Sequence, residues 1–206
     1  MSRLDPSPQL VAALFVSRKG PYWGRPDVDA WDEERDARLY AGPYPVVAHP
    51  PCARWCRLAG LVEARWGHKR GEDGGCFASA LASVRRWGGV LEHPAYSDAW
   101  AAHGLNRPPT GGGWVNADMV GGWTCYVEQS RYGHPAKKAT WLYANGVELT
   151  ELRWDLVPDQ AVTARISWCG NRVWSGMKLR RLHKTEAAAT PPAFAEVLLS
   201  LARGSR

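Results

Sequence analysis

Residues 75–92 read GCFASALASVRRWGGVLE, and this stretch contains a helix, a helix stop and a strand in direct succession. Its apolar side chains at 77, 80, 81 and 84 recur at the spacing of one helix face, which predicts a helix from Gly75 to Trp87. The Gly88-Gly89 pair predicts the end of that helix, and Val90 to Glu92 is then a short strand. A helix that leads straight into a strand is typical of an α/β protein with an open sheet.

The same alternation continues on both sides of this stretch. Apolar runs predict strands at 11–16, 44–49, 123–128 and 139–144, and a short helix is predicted at 96–103. The C-terminal residues 192–202 are expected to form a helix that Thr190 caps and Pro191 opens. The sequence therefore predicts one compact Rossmann-like α/β domain over residues 1–206, with irregular insertions at about 105–125 and 145–188.

The composition excludes some classes of protein and favours others. The chain has 206 residues, of which 45% are apolar and 22% charged, and this excludes a mainly disordered protein. It has no run of 18 apolar residues and no signal-peptide pattern, so we expect a cytoplasmic protein without a membrane partner. The net charge of +6 and the 12 Trp suit a partner that offers phosphates and stacked bases, although many of these rings could equally form the core.

Two polar segments follow predicted strands, at the end where an open sheet binds its ligand. One is His49-Pro50-Pro51-Cys52 after the strand at 44–48, and the other is Glu92-His93-Pro94. Because two prolines stiffen the first turn, Cys52 is predicted to be a rigidly held, exposed nucleophile. A glutamic acid at a neighbouring strand end can bind a polar edge of a substrate or move a proton. The sequence therefore predicts a site built around Cys52 and Glu92.

A metal centre is the alternative for the same cysteine. Five cysteines without a signal peptide argue against a disulfide framework and allow a metal-bound thiol. Zinc prefers the ligand atoms of His49, Cys52, Cys56, His68, Cys76 and His93. Their spacing lacks the paired Cys-x2-Cys pattern of zinc sites, so we expect no metal.

Four motifs follow one another in an informative order. They are Pro-Pro-Cys at 50–52, Glu-X-Pro at 92–94, Tyr-Gly-His-Pro at 132–135 and Pro-Pro at 191–192. This order resembles the DNA cytosine-5 methyltransferases, and it looks most similar to small phage-type members with a minimal target-recognition region. The resemblance implies a transferase with a methyltransferase-type sheet that modifies pyrimidine bases, with DNA or a pyrimidine nucleotide as its partner. It also implies a shortened N-terminal half, since few residues separate the first strand from the Pro-Pro-Cys turn.

The resemblance implies a role for each motif. Cys52 would add to C6 of a pyrimidine so that C5 becomes nucleophilic, and Glu92 would assist at N3. A base in a duplex must flip out and needs surfaces to stack on. The substrate-binding candidates are His49, Pro51, Trp55, His93, Pro94, Trp114, Lys137 and Lys138. The two lysines stand where the family has an arginine near the pyrimidine carbonyl, and lysine lacks the planar fork of arginine.

The cofactor segment departs from the family. The contacts to S-adenosylmethionine would come from Phe15, Ser17, Gly20 and Asp32, with Asp29 as the alternative acid for the ribose. The family's glycine-rich loop is replaced by a stretch with Arg18 and Lys19, which suits a phosphate better than a sulfonium. Two further hypotheses stay open: an enzyme of the same fold that uses another donor to elaborate a modified pyrimidine, and a non-catalytic protein that binds nucleic acid or a nucleotide.

Overall fold

A seven-stranded mixed sheet forms the centre of the computed structural model, which describes residues 9–56, 59–158, 161–166 and 179–205. The strands of the sheet are β1 (Val11–Leu14), β2 (Val28–Trp31), β3 (Val46–Ala48), β4 (Gly89–Pro94), β5 (Val115–Asn116), β6 (Trp123–Glu128) and β7 (Ala139–Asn145). A separate parallel pair consists of β8 (Ala164–Arg165) and β9 (Arg180–Arg181). The helices are α1 (Ala59–Trp66), α2 (Cys76–Trp87), α3 (Asp98–Ala102), α4 (Lys184–Ala188) and α5 (Pro192–Arg203).

The strand order β2-β1-β3-β4-β7-β6-β5 explains where a ligand can bind. The first four strands in this order are parallel, whereas β7 is antiparallel to both β4 and β6. The chain runs from β1 to β2 on one side and then to β3 on the other side of β1, so the winding direction reverses at β1. Such a reversal opens a crevice at the carboxyl ends of the strands, where open α/β sheets bind their ligands.

Apolar layers cover both faces of the sheet. Phe77 of α2 and Trp100 of α3 are fully buried against one face, and Phe194 of α5 is fully buried against the other. Successive residues of a strand face opposite layers, so Val90 of β4 contacts the α5 layer and Leu91 the α2 layer. The structure thus confirms the prediction of a single α/β domain built around an open sheet.

The bounds of several elements differ from the prediction. The strand predicted at 11–16 ends at Leu14, because Phe15 adopts a left-handed backbone with φ 59° that leaves the strand. The assignment of Thr190 as a cap is wrong, since Pro191 is the N-cap and α5 begins at Pro192. β5, β8, β9 and α4 lie in the segments predicted to be irregular, and residues 167–178 of those segments lie outside the described residues. Over the described ranges, no helix is long and apolar enough to cross a membrane.

Candidate active site

The candidate site lies at the carboxyl edge of β3 and β4, next to the reversal at β1. Val47 of β3 pairs with Val90 of β4, and both face the α5 layer. His49 and Glu92 come two residues after Val47 and Val90, so their side chains face the same side of the sheet and lie next to each other. His49 Nδ1 lies 3.0 Å from a carboxylate oxygen of Glu92. The sequence predicted both residues as site candidates, and the structure brings them into direct contact.

Glu92 has two further polar neighbours from the antiparallel half of the sheet. Gln129, which follows β6, donates through Nε2 to the other carboxylate oxygen at 2.9 Å. Thr140 Oγ1 lies 3.4 Å from the same oxygen, but the Lys138 carbonyl is a nearer acceptor for its single hydrogen, at 3.1 Å. Burial raises the pKa of Glu92, but the hydrogen bond from His49 and the charge of Lys138 outweigh it and lower the pKa to about 2. Glu92 is therefore ionised at neutral pH, although only 7% of it is exposed.

His49 connects Glu92 to the segment after β1. Its Nε2 lies 2.9 Å from the hydroxyl of Tyr22, and the two rings are 5.2 Å apart. An ionised carboxylate can only accept, so Nδ1 of His49 carries a proton and donates it to Glu92. In the neutral imidazole, Nε2 then accepts from the Tyr22 hydroxyl. Burial and the charge of Glu92 raise the pKa of Tyr22 well above its ordinary value, so the hydroxyl keeps its proton.

Cys52 begins a helical turn directly after the two prolines. The backbone N–H groups of Trp55 and Cys56 both donate to the Cys52 carbonyl at 3.0 Å. The side chain of Cys52 is half-buried, and Pro51 before it is exposed. Burial raises the pKa of the Cys52 thiol, the charge of Glu92 raises it further, and Lys138 lowers it. The thiol is therefore protonated at neutral pH and becomes a nucleophile only when it loses that proton.

Lys138 directly precedes β7, whose first residues lie beside the end of β4. Its ammonium donates to the carbonyls of Ala188 and Ala189 at 2.9 Å each, which ties it to the C-terminal end of α4. Burial lowers the pKa of Lys138, while the negative charge of Glu92, and that of the Cys52 thiolate once it forms, raise it. A thiol that follows β3, a carboxylate near the end of β4 and an ammonium that precedes β7 thus act on one another electrostatically.

The structure does not bring His93 to this place. Glu92 and His93 are consecutive residues inside β4, so their side chains face opposite sides of the sheet. The ring of His93 is fully buried in the α2 layer, 5.2 Å from Phe77 and 6.2 Å from Trp100. Its role as a substrate contact is therefore corrected to that of a core residue. Pro94 is half-buried and pairs with Thr140, on the side of the sheet that carries Glu92.

The two tryptophans expected to stack on a base are held elsewhere. Trp55 is buried against Phe77 and donates through Nε1 to Asp73 at 2.8 Å, so its ring is part of the core. Trp114 precedes β5, which lies three strands from β4 in the sheet order, or about 14 Å at ordinary strand spacing. Its indole nitrogen donates to the Thr150 carbonyl at 2.9 Å. Lys137 is half-buried next to Lys138.

The four candidate cofactor contacts do gather at the ends of β1 and β2. Phe15 and Ser17 follow β1, and the Ser17 carbonyl accepts from the Gly20 backbone N–H at 2.8 Å. Asp32 directly follows β2 and is buried, but one of its oxygens accepts from Arg18 Nε at 2.7 Å. The other oxygen accepts from the Arg35 backbone N–H at 3.0 Å. The carboxylate of Asp32 is therefore already paired on both sides.

Sequence reasoning missed Tyr22, Gln129 and Thr140. Gln129 and Thr140 flank the turn between two predicted strands, so the rule that strand ends form sites could have indicated them. Tyr22 lies in a segment without periodicity, and no local signal marks it. In the ranges that the structure covers, no three His, Cys, Asp or Glu side chains form a group that could hold a metal.

No family model, curated protein or solved structure matches the chain.

Proposed function

We propose that the protein is a pyrimidine-modifying enzyme in which Cys52 adds to C6 of the base while Glu92 and Lys138 hold its polar edge. The observation that carries this proposal is that the thiol of Cys52, the ionised carboxylate of Glu92 and the ammonium of Lys138 come from segments of the adjoining strands β3, β4 and β7 and act on one another electrostatically. The motif order that resembles the DNA cytosine-5 methyltransferases supports the same roles for Cys52 and Glu92, and it favours a methyltransferase-type variant of the open sheet.

The proposed step makes C5 of the ring reactive. The Cys52 thiol gives its proton to solvent, and the S–C6 bond forms as the C5=C6 π bond breaks. The π electron pair moves toward the substituent at C4, so that C5 becomes nucleophilic and can take up an electrophile. Loss of the C5 proton to solvent then restores the double bond and expels the thiolate. Covalent addition in this way divides one difficult substitution into easier steps.

Lys138 is the group that stabilises the negative charge of this adduct. Its ammonium is anchored by two backbone carbonyls at the C-terminal end of α4, so it is already oriented before substrate arrives. A fixed positive charge in a site with little water stabilises developing negative charge without reorganisation. We therefore assign Lys138 to the ring carbonyl, beside the carboxylate of Glu92.

The residues at the ends of β1 and β2 fit S-adenosylmethionine poorly as they stand. Asp32 is the acid placed to bind a ribose, but Arg18 and the Arg35 backbone already fill one acceptor position on each of its two oxygens. The guanidinium of Arg18 also brings a positive charge toward a cofactor whose sulfur is positive. Methyl transfer from this cofactor is therefore not part of the proposal. The pairing of Arg18 with Asp32 favours the alternative of the same fold with another donor.

A donor-independent assay tests the proposal. Reversible addition at C6 lets the C5 hydrogen exchange with solvent, so the protein is incubated in D2O with dUMP, dCMP and oligonucleotides that contain one dU or one dC. Mass spectrometry measures deuterium at C5. We expect exchange with the wild type, a fall to background in Cys52→Ala, and exchange retained in Cys56→Ala, a half-buried thiol one helical turn away. Absence of exchange in the wild type, or equal exchange in Cys52→Ala, would overturn the proposal.

A further inference from the structure

We infer that the base accepted by this site carries a hydrogen at N3, as uracil-type bases do, and that Glu92 accepts that hydrogen. The inference rests on the proposed function and names the substrate class of the same site. It follows from which atoms around Glu92 donate and which accept.

The hydrogen-bond partners of Glu92 within the described residues are donors to it. His49 Nδ1 and Gln129 Nε2 donate at 3.0 and 2.9 Å, and the Lys138 ammonium adds a positive charge. A proton on either carboxylate oxygen would have to compete with these donors, so the ionised form is fixed. A carboxylate offers about four acceptor positions, and these two donors fill two of them, because the single hydrogen of Thr140 has a nearer acceptor in the Lys138 carbonyl. The remaining positions can accept a hydrogen from a substrate but have none to give.

His49 helps to keep Glu92 in its ionised, acceptor-only state. Its Nε2 is held by Tyr22 at 2.9 Å, and Tyr22 is 2% exposed. The contact with Tyr22 therefore fixes the orientation of the imidazole, so that the Nδ1 proton stays directed at Glu92. The pair His49 and Tyr22 acts on the substrate only through Glu92, so both are positioning residues.

Gln129 contributes a second unused acceptor. Its Nε2 donates to both Glu92 and Thr140, at 2.9 Å each, while its Oε1 is buried without a hydrogen-bond partner among the described residues. A buried acceptor without a partner is costly unless a ligand supplies a donor. Glu92 and Gln129 are thus acceptors and the nearby cation Lys138 is a donor at this side of the site, and a uracil edge, with its single N–H, can fill one of the two acceptors.

The polar edges of the two pyrimidines fit this pattern differently. Uracil offers an N3–H donor between two carbonyl oxygens, so N3–H can face Glu92 and a carbonyl can face Lys138. Cytosine has a lone pair at N3, which would face the carboxylate, and only its exocyclic amine can donate. When Cys52 adds to C6 of uracil, the π electron pair moves through C4 onto O4, beside the ammonium. No proton at N3 has to be supplied, whereas cytosine would require one during the addition.

The experiment compares deuterium exchange at C5 in dUMP with dCMP, and in matched oligonucleotides with a single dU or dC. Uracil accepts thiolates more readily by its own chemistry, so the decisive quantity is how the uracil-to-cytosine ratio changes between variants. Glu92→Gln has nearly the same shape but places an N–H2 donor where N3 lies. We expect the ratio to fall at least about tenfold in Glu92→Gln, the size of one correct base-edge contact.

A pair of His49 variants provides a second readout. His49→Gln keeps a donor for Glu92 and should keep the wild-type ratio, whereas His49→Leu removes it and should lower the ratio. A ratio that is unchanged in Glu92→Gln, or wild-type exchange that is faster with cytosine, would overturn the inference while the proposed function stands. If the wild type exchanges neither base, the proposed function fails and the inference fails with it.

Discussion

The buried imidazole of His93 should make the stability of the protein depend on pH. His93 is fully buried, and neither ring nitrogen makes a well-formed hydrogen bond within the described part of the chain. Burial lowers its pKa from 6.5 to about 4, and the charge of Glu92 offsets this only in part. In the unfolded chain the pKa is ordinary, so between pH 6.5 and 4 the unfolded state binds more protons. The free energy of unfolding therefore falls as the pH falls through this window.

The magnitude follows from the two pKa values. Between pH 7.5 and 4.5, a shift from 6.5 to about 4 removes about 2.5 kcal/mol from the free energy of unfolding. Glu92 adds little in this window, because its lowered pKa has removed only about 0.4 kcal/mol of stability by pH 4.5, its ordinary pKa. The contribution of His93 is thus separable from that of its neighbour in β4.

Urea unfolding followed by tryptophan fluorescence at four pH values from 7.5 to 4.5 measures this effect. His93→Leu removes the titrating ring, so the variant should gain about 2.5 kcal/mol relative to the wild type across that range. His68→Gln, at an exposed histidine, is the matched control and should follow the wild type. A pH dependence in His93→Leu that equals that of the wild type would refute the reasoning.

Three further predictions concern the surroundings of the site. Asp73 accepts from Trp55 Nε1 and from the backbone of Gly75 and Phe77, so Asp73→Ala should lower the free energy of unfolding by about 1–3 kcal/mol, and Asp73→Asn should lower it less. Phe77→Ala opens a cavity in the α2 layer and should cost about 3–5 kcal/mol in the same denaturant assay, with Phe77→Leu milder; a cost below about 1 kcal/mol would argue against the described packing. Arg18→Ala frees one oxygen of Asp32, so calorimetry should show tighter binding of S-adenosylmethionine than in the wild type; equal or weaker binding would contradict the blocking role of Arg18.

The sequence allowed the part of the candidate site that holds Cys52 and Glu92 to be predicted. Cys52 and Glu92 follow from the rule that ligands bind beyond the carboxyl ends of strands, together with stiff prolines and a motif order. The structure places both at that edge, and it adds Lys138 from the segment before β7. The positions of Cys52 and Glu92 could be predicted because the apolar run and the prolines that mark each strand end are neighbours in the sequence.

The remainder depends on pairing between distant segments. The predicted strand ended at Glu92, which left both Glu92 and His93 free to face the site. In the structure β4 continues to Pro94 because β7 pairs with it, and the alternation of side chains then sends His93 into the core. The contacts of Tyr22 and Gln129 with the His49–Glu92 pair likewise exist only once the segments after β1 and β6 have folded against β3 and β4. No periodicity within either segment indicates them.

The most direct test of the account measures the thiol of Cys52 itself. Alkylation by iodoacetamide, followed at Cys52 by mass spectrometry over a range of pH, gives the pKa of this thiol. We predict a pKa above the ordinary value, a lower one in Glu92→Gln and a higher one in Lys138→Met, because Glu92 opposes the thiolate and Lys138 favours it. Lys19→Met, at an exposed lysine, should leave it unchanged. If the pKa of Cys52 is the same in the Glu92 and Lys138 variants as in the wild type, the three groups do not form one site, which contradicts the proposed function.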